Sequence, residues 1–521
     1  DFIENTDKYK DYILYARIKN WTEKKCYPLG EIVDQIVDKH TIDSRTNIIL
    51  KNNNIQYYPF YRDIMEEIPE NDWEIPYEEY GKRLDLRKEC IFTIDPPAAK
   101  DLDDALSCKI LDNGCFEVGI HIADVSYFVK PNSCTDKEAL KRGTSTYLVQ
   151  KVIPMLPRNL CENLCSLNPG KSRLAFSVIV MIDLEGRIIT YNYKKSIICS
   201  CAKLSYNHVQ RVIDSKDQKW PKENDDVIIQ NPYHQYSFED IMEKINILYI
   251  LSSILKKNRK DKGAISLNKK KLWFDVQAYD YIPTDFGIFE PKEANSLVEE
   301  YMLLANIIVA KELFNHYFNE ALLRHHEKPD KYTIEKFLTF IRMTDKIKCD
   351  IDNSNGIHDF LSSIINNDSF YSDVALLKCI KSMKRAQYTC STLKFPNKLF
   401  HFGLHVPYYT HFTSPIRRYP DIIVHRQLNS ILNHNESSPY SRKEIFKITK
   451  MCNDNKYNAK VAQESSVKLY LIYLLHDYIK KKQIKCVIED AIVIGFNNHS
   501  LEFTIPKFAY EGNIYIQNLC I

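Results

Sequence analysis

Asp95, Asp101, Asp103 and Asp104 fall within the short run IFTIDPPAAKDLDDAL. Carboxylates this close repel one another and raise each other's pKa unless something neutralises them. The usual neutraliser is a hard divalent cation, Mg²⁺ or Mn²⁺, held by oxygen ligands. A solvated acidic loop or a weak Ca²⁺ site would use the same residue types. The spacing is not that of an EF-hand, which needs alternating ligands, a glycine at the sixth position and a distal glutamate. The apolar run Ile91-Phe92-Thr93-Ile94 reads as a strand that ends at Asp95. Pro96 and Pro97 then stop any helix and open a rigid turn. Asp101 to Asp104 follow on a loop or turn able to fold back on Asp95.

Other segments carry chemistry-bearing residues against local preference. In Thr410-His411-Phe412-Thr413-Ser414-Pro415-Ile416-Arg417-Arg418-Tyr419-Pro420-Asp421, the Thr/Ser before proline predicts a helix start with Pro415 at its first position. Arg417 and Arg418 would then lie in the first turn, where basic side chains work against the macrodipole. Phosphate is the natural ligand for such a pair, while an ion pair with Asp421 is the plainer reading for one of them. In Leu297-Val298-Glu299-Glu300-Tyr301-Met302-Leu303-Leu304-Ala305-Asn306, two acids enter an apolar helix, with Glu299 and Asn306 on one face. As a plain surface feature, such a glutamate is a rim residue. Tyr147, in Gly143-Thr144-Ser145-Thr146-Tyr147-Leu148, would by itself be a core aromatic. Asp124 sits among apolar neighbours at the end of a strand and needs a partner.

The elements that must position these groups belong to a chain of 521 residues, enough for about three or four domains. It is 44% hydrophobic and 27% charged, an ordinary globular balance that excludes a disordered chain. A net charge of +3 neither demands nor excludes nucleic acid, because a basic channel can be masked by acidic surface elsewhere. The 15 cysteines form no CxxC pair and no zinc-spaced Cys/His group, which points to buried thiols in a reducing compartment. No apolar run approaches bilayer length, the longest being Leu469 to Leu475, and no signal peptide is evident. The chain opens on Asp1 rather than Met, as a fragment or processed form would.

Residues 1–65 read as a β-rich OB-type barrel, from the alternation Tyr12 to Ile18 and the turn Tyr27-Pro28-Leu29-Gly30. Its exposed aromatics beside Lys and Arg would suit single-strand stacking, though most aromatics in such a barrel fill its core. Residues 66–89, with Pro69 and Pro76, read as a linker. From Cys90 the pattern is mixed α/β. Phe116 to Val125 is a strand, and Leu174 to Ile182 with Arg187 to Ile198 forms a hairpin around Glu185-Gly186. Asp214 to Tyr236 is a polar insertion. Helices are expected at Glu239–Lys257, Leu297–Phe314, Lys331–Met343 and Ser441–Lys480, the last with breaks. Alternating strands return over residues 491–521 as an incomplete second OB-fold.

Taken together, these motifs resemble the RNB catalytic domain of the RNase II / RNase R family. IDPPAAKDLDDAL, GIHIADVSYFV, TYLVQKVIPMLPRNLCENLCSLNP, VEEYMLLAN and YTHFTSPIRRYPDIIVHR occur in family order over about residues 90–435. Details such as KRLDLRKECIFTIDP are most similar to the eukaryotic branch called Dis-three-like exonuclease two. The resemblance implies a multidomain α/β protein: a mixed α+β RNB domain over 90–435, between a cold-shock-type OB domain (1–65, preceded by another in the full protein) and a partial S1-type OB domain (483–521). A helical extension would fill 436–482. It implies a processive 3′→5′ exoribonuclease that releases nucleoside 5′-monophosphates with Mg²⁺ or Mn²⁺.

Carried over residue by residue, Asp95, Asp101, Asp103 and Asp104 match the family's metal-binding aspartates. Asp101, Asp103 and Arg417 would be the catalytic groups. Tyr147 matches the tyrosine that stacks near the 3′ end, and Glu299 or Glu300 the acid near the last nucleotide. Arg158, Arg418, Thr413, Ser414 and Asn306 complete the expected RNA contacts. The branch implies a cytoplasmic monomer that acts on single-stranded RNA with a 3′ oligouridine tail, without the exosome ring and without a membrane. Two departures stand out. Pro420 replaces a small residue and would kink the helix if it lay deep within it. Lys100 stands where arginine is commoner and lacks the bidentate fork. The competing readings are an inactive RNB fold that only binds RNA, and a scaffold of a decay complex.

Overall fold

The computed structural model describes residues 12–21, 26–36, 41–215, 219–265, 270–277, 279–344, 369–392 and 399–518. Its centre is a mixed sheet of seven strands: β1 (Leu84–Leu86), β2 (Ile91–Asp95), β3 (Asp104–Ile110), β4 (Phe116–Ala123), β5 (Ser172–Ile182), β6 (Ile188–Cys199) and β7 (Ala202–Ser205). The order across the sheet is β7-β2-β3-β4-β5-β6-β1. The strands from β2 to β6 pair antiparallel, while β7 joins β2 and β1 joins β6 in parallel. Val, Ile and Phe fill these strands because branched and aromatic side chains fit a pleated, buried surface. Ile91, Phe92, Leu106, Ile120, Ile122, Phe176 and Val178 lie in one core.

Helices α1 (Tyr206–Asp214), α2 (Phe238–Asp261) and α3 (Glu293–His316) pack on one another and on the sheet. Each is longer than or level with its apolar pattern, and α1 and α2 start on serine capping boxes, at Ser205 and Ser237. Helix α4 (Tyr419–Leu432) is buried along nearly its whole length and packs against α3. Helix α5 (Arg442–Lys482) is one continuous rod of 41 residues. The breaks expected within it do not occur. It contains neither Pro nor Gly, and Asn453, a poor helix former, is tied to Tyr388 on a neighbouring strand.

Residues 66–89, expected as a linker, contribute β1 to the sheet and send Arg83 into its interior. At the N-terminal end, strands Ile13–Asn20 and Leu29–Ile36 pair antiparallel. Helix Ile42–Asn52 follows within the stretch read as a β-rich OB-type barrel. Thr41 caps it by accepting the Ser44 N–H at 3.2 Å. At the C-terminal end, Ile492–Phe496, Ser500–Ile505 and Tyr510–Tyr515 form an antiparallel meander. Among the described residues, no helix is long and apolar enough to cross a membrane. The described cysteines are unbridged and mostly buried.

Candidate active site

Asp95 ends β2, where β7 pairs alongside it, and Asp104 opens β3. The chain between them folds back as its prolines require. The Ala99 N–H reaches the Pro96 carbonyl at 3.0 Å. Lys203, on β7, donates its ammonium to the Ala99 carbonyl at 2.6 Å and the Pro97 carbonyl at 3.2 Å. The Ser166 hydroxyl donates to the Lys100 carbonyl at 2.7 Å and accepts the Leu102 N–H at 3.1 Å. Leu102 is fully buried between the aspartates and anchors the loop.

The four carboxylates fare differently. Asp101 accepts the Tyr147 hydroxyl at 2.9 Å. Asp103 is buried, and its Oδ1 accepts the Ile416 N–H at 2.8 Å. Its Oδ2 faces the Arg417 Nε at 3.3 Å without a hydrogen bond. The Oδ2 of Asp95 is buried with no partner. Burial first, and then the charges of Asp104 and Asp103, push the Asp95 carboxyl up to about 8. Burial lifts Asp104 to about 6 against the pull of Arg417 and Arg418. Burial also raises Asp103 well above the usual carboxylate range, although Arg417 opposes it.

Among the described residues, no three acidic, histidine or cysteine side chains stand together as a finished metal ligand set. The donor chemistry nevertheless fits a hard cation. The groups are all carboxylate oxygens, two of them buried without a hydrogen bond and mutually repelling. Asp95, Asp101, Asp103 and Asp104 are the residues that would hold it.

Arg417 arrives from the far end of the sequence on a loop rather than on a helix. Helix α4 begins at Tyr419, and residues 414–417 form a turn closed by N–H groups of Arg417 and Arg418 on the Ser414 carbonyl, at 3.3 and 3.0 Å. This corrects the expected helix start at Pro415. Arg418 is held extended (φ −138°, ψ 120°) by a β-bridge to Thr144, which no helical residue could make. The Thr144 hydroxyl and the Ser145 N–H both donate to the Arg417 carbonyl, at 2.9 and 3.0 Å. Pro420 therefore lies in the first turn of α4, where a missing N–H costs nothing, and not at a depth that kinks the helix. The guanidinium of Arg417 donates to the Ser414 hydroxyl at 2.9 Å and remains 43% exposed, free to meet a ligand. Gly143 ends helix Cys134–Arg142 just before Thr144, and its carbonyl accepts the Tyr419 N–H at 3.0 Å. Its φ is +70°, and a Cβ there would stand 2.6 Å from the Asn455 side chain.

The remaining expected contacts separate into two groups. Tyr147 is brought to the aspartates, with its ring partly exposed. Arg418 Nη2 donates to Asp421 at 2.7 Å while its Nε is buried without a partner, and Asp421 also accepts the Ser414 N–H at 2.8 Å. Asn306 accepts the Phe412 N–H at 2.7 Å and donates to Tyr409 and Thr413 at 3.2 and 3.4 Å. Thr413 and Ser414 are buried, so these groups shape the loop that carries Arg417. Glu300 is buried in an ion pair with Arg259 at 2.5 Å, whereas its neighbour Glu299 is exposed. Arg158 points to solvent, ion-paired with Glu162 and joined to none of the aspartates. Lys203, Ser166 and Thr144 join the site without a signal in the sequence: the pairing of β7 with β2 brings in Lys203, the Ser166 hydroxyl reaches the loop from across the fold, and the bridge to Arg418 brings in Thr144.

Residues 83–434 match the family model described as the RNB domain, and residues 1–54 match the Dis3-like cold-shock domain 2. The chain is 38% identical to the DIS3-like exonuclease 2 of Schizosaccharomyces pombe over 520 residues, covering 99% of this chain and 55% of that protein. It is 37% identical to the Xenopus tropicalis protein of the same name, covering 100% of this chain and 62% of that one. The chain thus spans between half and two thirds of the length of these relatives. Among solved structures, Mycoplasma genitalium RNase R in complex with ribose-methylated single-stranded RNA shares the fold, with a TM-score of 0.82 at 24% identity. That match covers 98% of this chain and 76% of the other. Yeast Ssd1, a pseudonuclease, superposes with a TM-score of 0.78 at 22% identity, over 99% of this chain and 61% of its own.

Proposed function

The chain belongs to the RNB domain family, and on that footing we propose that it is a 3′→5′ exoribonuclease that degrades single-stranded RNA processively to nucleoside 5′-monophosphates. The observation that carries this reading is the meeting of Asp103 with Arg417, 3.3 Å apart, beside the unpartnered oxygen of Asp95. A carboxylate group with one exposed guanidinium suits attack on a phosphodiester. A divalent ion held by Asp95, Asp101, Asp103 and Asp104, Mg²⁺ or alternatively Mn²⁺, would supply an activated water and neutralise charge on the leaving oxygen.

The protein's own groups do the rest. Arg417 lies on a loop fixed by Thr144, Ser145 and Ser414, so its guanidinium is aimed before the phosphate arrives. It stabilises charge as that charge builds on the phosphoryl oxygens. Tyr147 stacks on the terminal base while its hydroxyl orients Asp101. Glu299, left outward by the Glu300–Arg259 pair, is the acid free to meet the last nucleotide. Trp21 and Tyr27, both exposed near the N-terminal strands, offer bases a stacking surface upstream. Residues 1–65 serve as the cold-shock-type domain, 90–435 as the catalytic domain, 436–482 as a helical extension and 483–521 as the S1-type end. The likeness to DIS3-like exonuclease 2 supports a cytoplasmic monomer acting on 3′-oligouridylated RNAs apart from the exosome.

The test uses 5′-labelled RNAs ending in oligouridine or oligoadenosine, with Mg²⁺ or EDTA, beside an Arg417→Ala variant. The expected result is a Mg²⁺-dependent ladder of shortening products, faster on the uridine tail and reduced about 10²–10³-fold in the variant. Binding of both RNAs without shortening would leave an RNA-binding pseudonuclease instead.

A further inference from the structure

Behind the Arg417 loop, cations collect around one aromatic ring. The Arg324 guanidinium approaches the Tyr388 ring at 4.9 Å and the Lys456 ammonium approaches it at 5.4 Å. The ring is pinned. Its backbone N–H donates to Asn453 Oδ1 at 2.8 Å, Asn453 donates back at 2.9 Å, and its hydroxyl meets His411 Nδ1 at 2.7 Å. Asn453 and Lys456 are three apart on α5 and so share a face. Arg324 is held by its own N–H on the Tyr409 carbonyl at 2.7 Å.

The carboxylate that faces this group is Asp421, and Arg418 with the Ser414 N–H already occupies its Oδ1. Arg324 Nη1 and Arg418 Nε are buried without partners. Among the described residues, neither Arg324 nor Lys456 has an ion-pair partner. Burial, then Arg324 and Arg418, push the Lys456 ammonium down to about 6, with Asp421 opposing and Arg417 adding to the effect. His411 beside it is held neutral, mainly by burial. Two guanidiniums, each with a buried N–H left over, and an amine that they keep from taking up its proton share one carboxylate, an arrangement that an anion from outside would relieve.

We propose that Lys456, Arg324 and Arg418 form a seat for a backbone phosphate of the bound strand, distinct from the phosphate that Arg417 meets. The seat rests on the ribonuclease reading and deepens it. Phosphate contacts carry no sequence information, so the seat contributes equally to uridine and adenosine tails.

The test measures binding of labelled oligouridine and oligoadenosine in EDTA, across a salt series, for wild type, Lys456→Gln and Lys456→Arg. Losing one phosphate contact makes the slope of log affinity against log salt shallower by about 0.7. Lys456→Gln should show that change on both RNAs, and Lys456→Arg should restore the slope. An unchanged slope in folded Lys456→Gln overturns the seat. If that variant does not fold, amine acylation of wild type is read by mass spectrometry with and without oligouridine. Bound RNA should protect Lys456, and equal labelling overturns the seat. Wild type that binds neither RNA overturns the ribonuclease reading together with the seat.

Discussion

Asp103 and Asp124 are buried to almost the same degree, at 3% and 1% exposure, and they lie in one neighbourhood: the N–H of Ala123, the residue before Asp124, donates to the Asp103 carbonyl at 2.9 Å. Their surroundings are opposite. Asp124 accepts Arg83 at 2.9 Å, Lys195 at 2.6 Å and the Ser126 hydroxyl at 2.8 Å. Burial alone would raise its carboxyl, but Lys195 and Arg83 outweigh that and hold it well below the usual range. At Asp103 burial raises the carboxyl, one N–H and a guanidinium at 3.3 Å do not outweigh it, and the charges of Asp101 and Asp104 add to the rise. The same residue type at the same depth is thus neutralised in one place and left in want of positive charge in the other. A fold that can solve the problem at Asp124 but leaves it open at Asp103 marks the second site as the one that takes a ligand from outside.

The sharpest break of this contrast is Asp103→Asn. It removes a repelling charge while keeping an acceptor for the Ile416 N–H, so stability should hold or rise. RNA cleavage should fall by at least about 10²-fold. Single-turnover cleavage beside a denaturant melt reads both. A variant that loses stability and keeps its activity would make Asp103 another structural aspartate.

Asp124→Asn should do the reverse. Leaving Arg83 and Lys195 buried without their carboxylate costs about 3–5 kcal/mol. The midpoint of urea unfolding should drop accordingly, while cleavage per folded molecule stays near wild type. Lys195→Met should destabilise in the same direction, and the double variant should fall short of the sum because both act on one network. Full additivity would mean that Lys195 and Asp124 do not act as a pair.

The contrast was only half legible in the sequence. The clustered aspartates, the strand that delivers Asp95 and the proline turn follow from neighbouring residues, and so do the β5–β6 hairpin and the cores of α2 and α3. That Asp124 needs a partner was also readable from its apolar flanks. Which partners it takes was not, because Arg83 lies in a segment with the composition of a linker and Lys195 two strands away. The helix starts after Arg417 rather than before it for the same reason, a partner distant in sequence. The local Ser-Pro signal is sound, but a bridge from Thr144 and the carboxylate of Asp421 hold the segment out of helix. Arg158 is a different case: it stands inside a motif, yet the contact it makes is with its neighbour Glu162, away from the aspartates.

If the unmet charge at Asp103 is relieved by a cation, Mg²⁺ should stabilise the folded protein. At about 100 times its dissociation constant, one bound ion adds about 2.7 kcal/mol. The wild-type melting temperature should rise with Mg²⁺ and fall back with EDTA. Asp103→Asn should respond less, and Asp124→Asn should respond as wild type does from its lower starting point. Equal shifts in wild type and Asp103→Asn would separate metal binding from this carboxylate.

The smallest expected effect asks whether a carboxyl can be pulled down without any cation. Glu67 accepts the Thr135 hydroxyl at 2.7 Å, the Thr135 N–H at 2.8 Å and the Cys134 N–H at 2.7 Å, at the start of helix Cys134–Arg142. The little burial it has would raise its carboxyl, yet these donors bring it down to about 2. Two of them are free N–H groups of a helix N-terminus, where negative charge is favoured, and the third is the Thr135 hydroxyl. A folded pKa below the unfolded value of about 4.3 gives stability that is complete above that value and lost as pH falls toward 2. Because Glu67 is exposed, solvent screening keeps the effect within about 0.3–1 kcal/mol. Wild type should therefore exceed Glu67→Gln by that margin at neutral pH, and the two denaturation curves should merge as pH approaches 2. High salt should leave most of the margin, because hydrogen bonds rather than ion pairs sustain it. A margin that vanished in salt would place Glu67 beside Asp124, as a carboxylate held by charge.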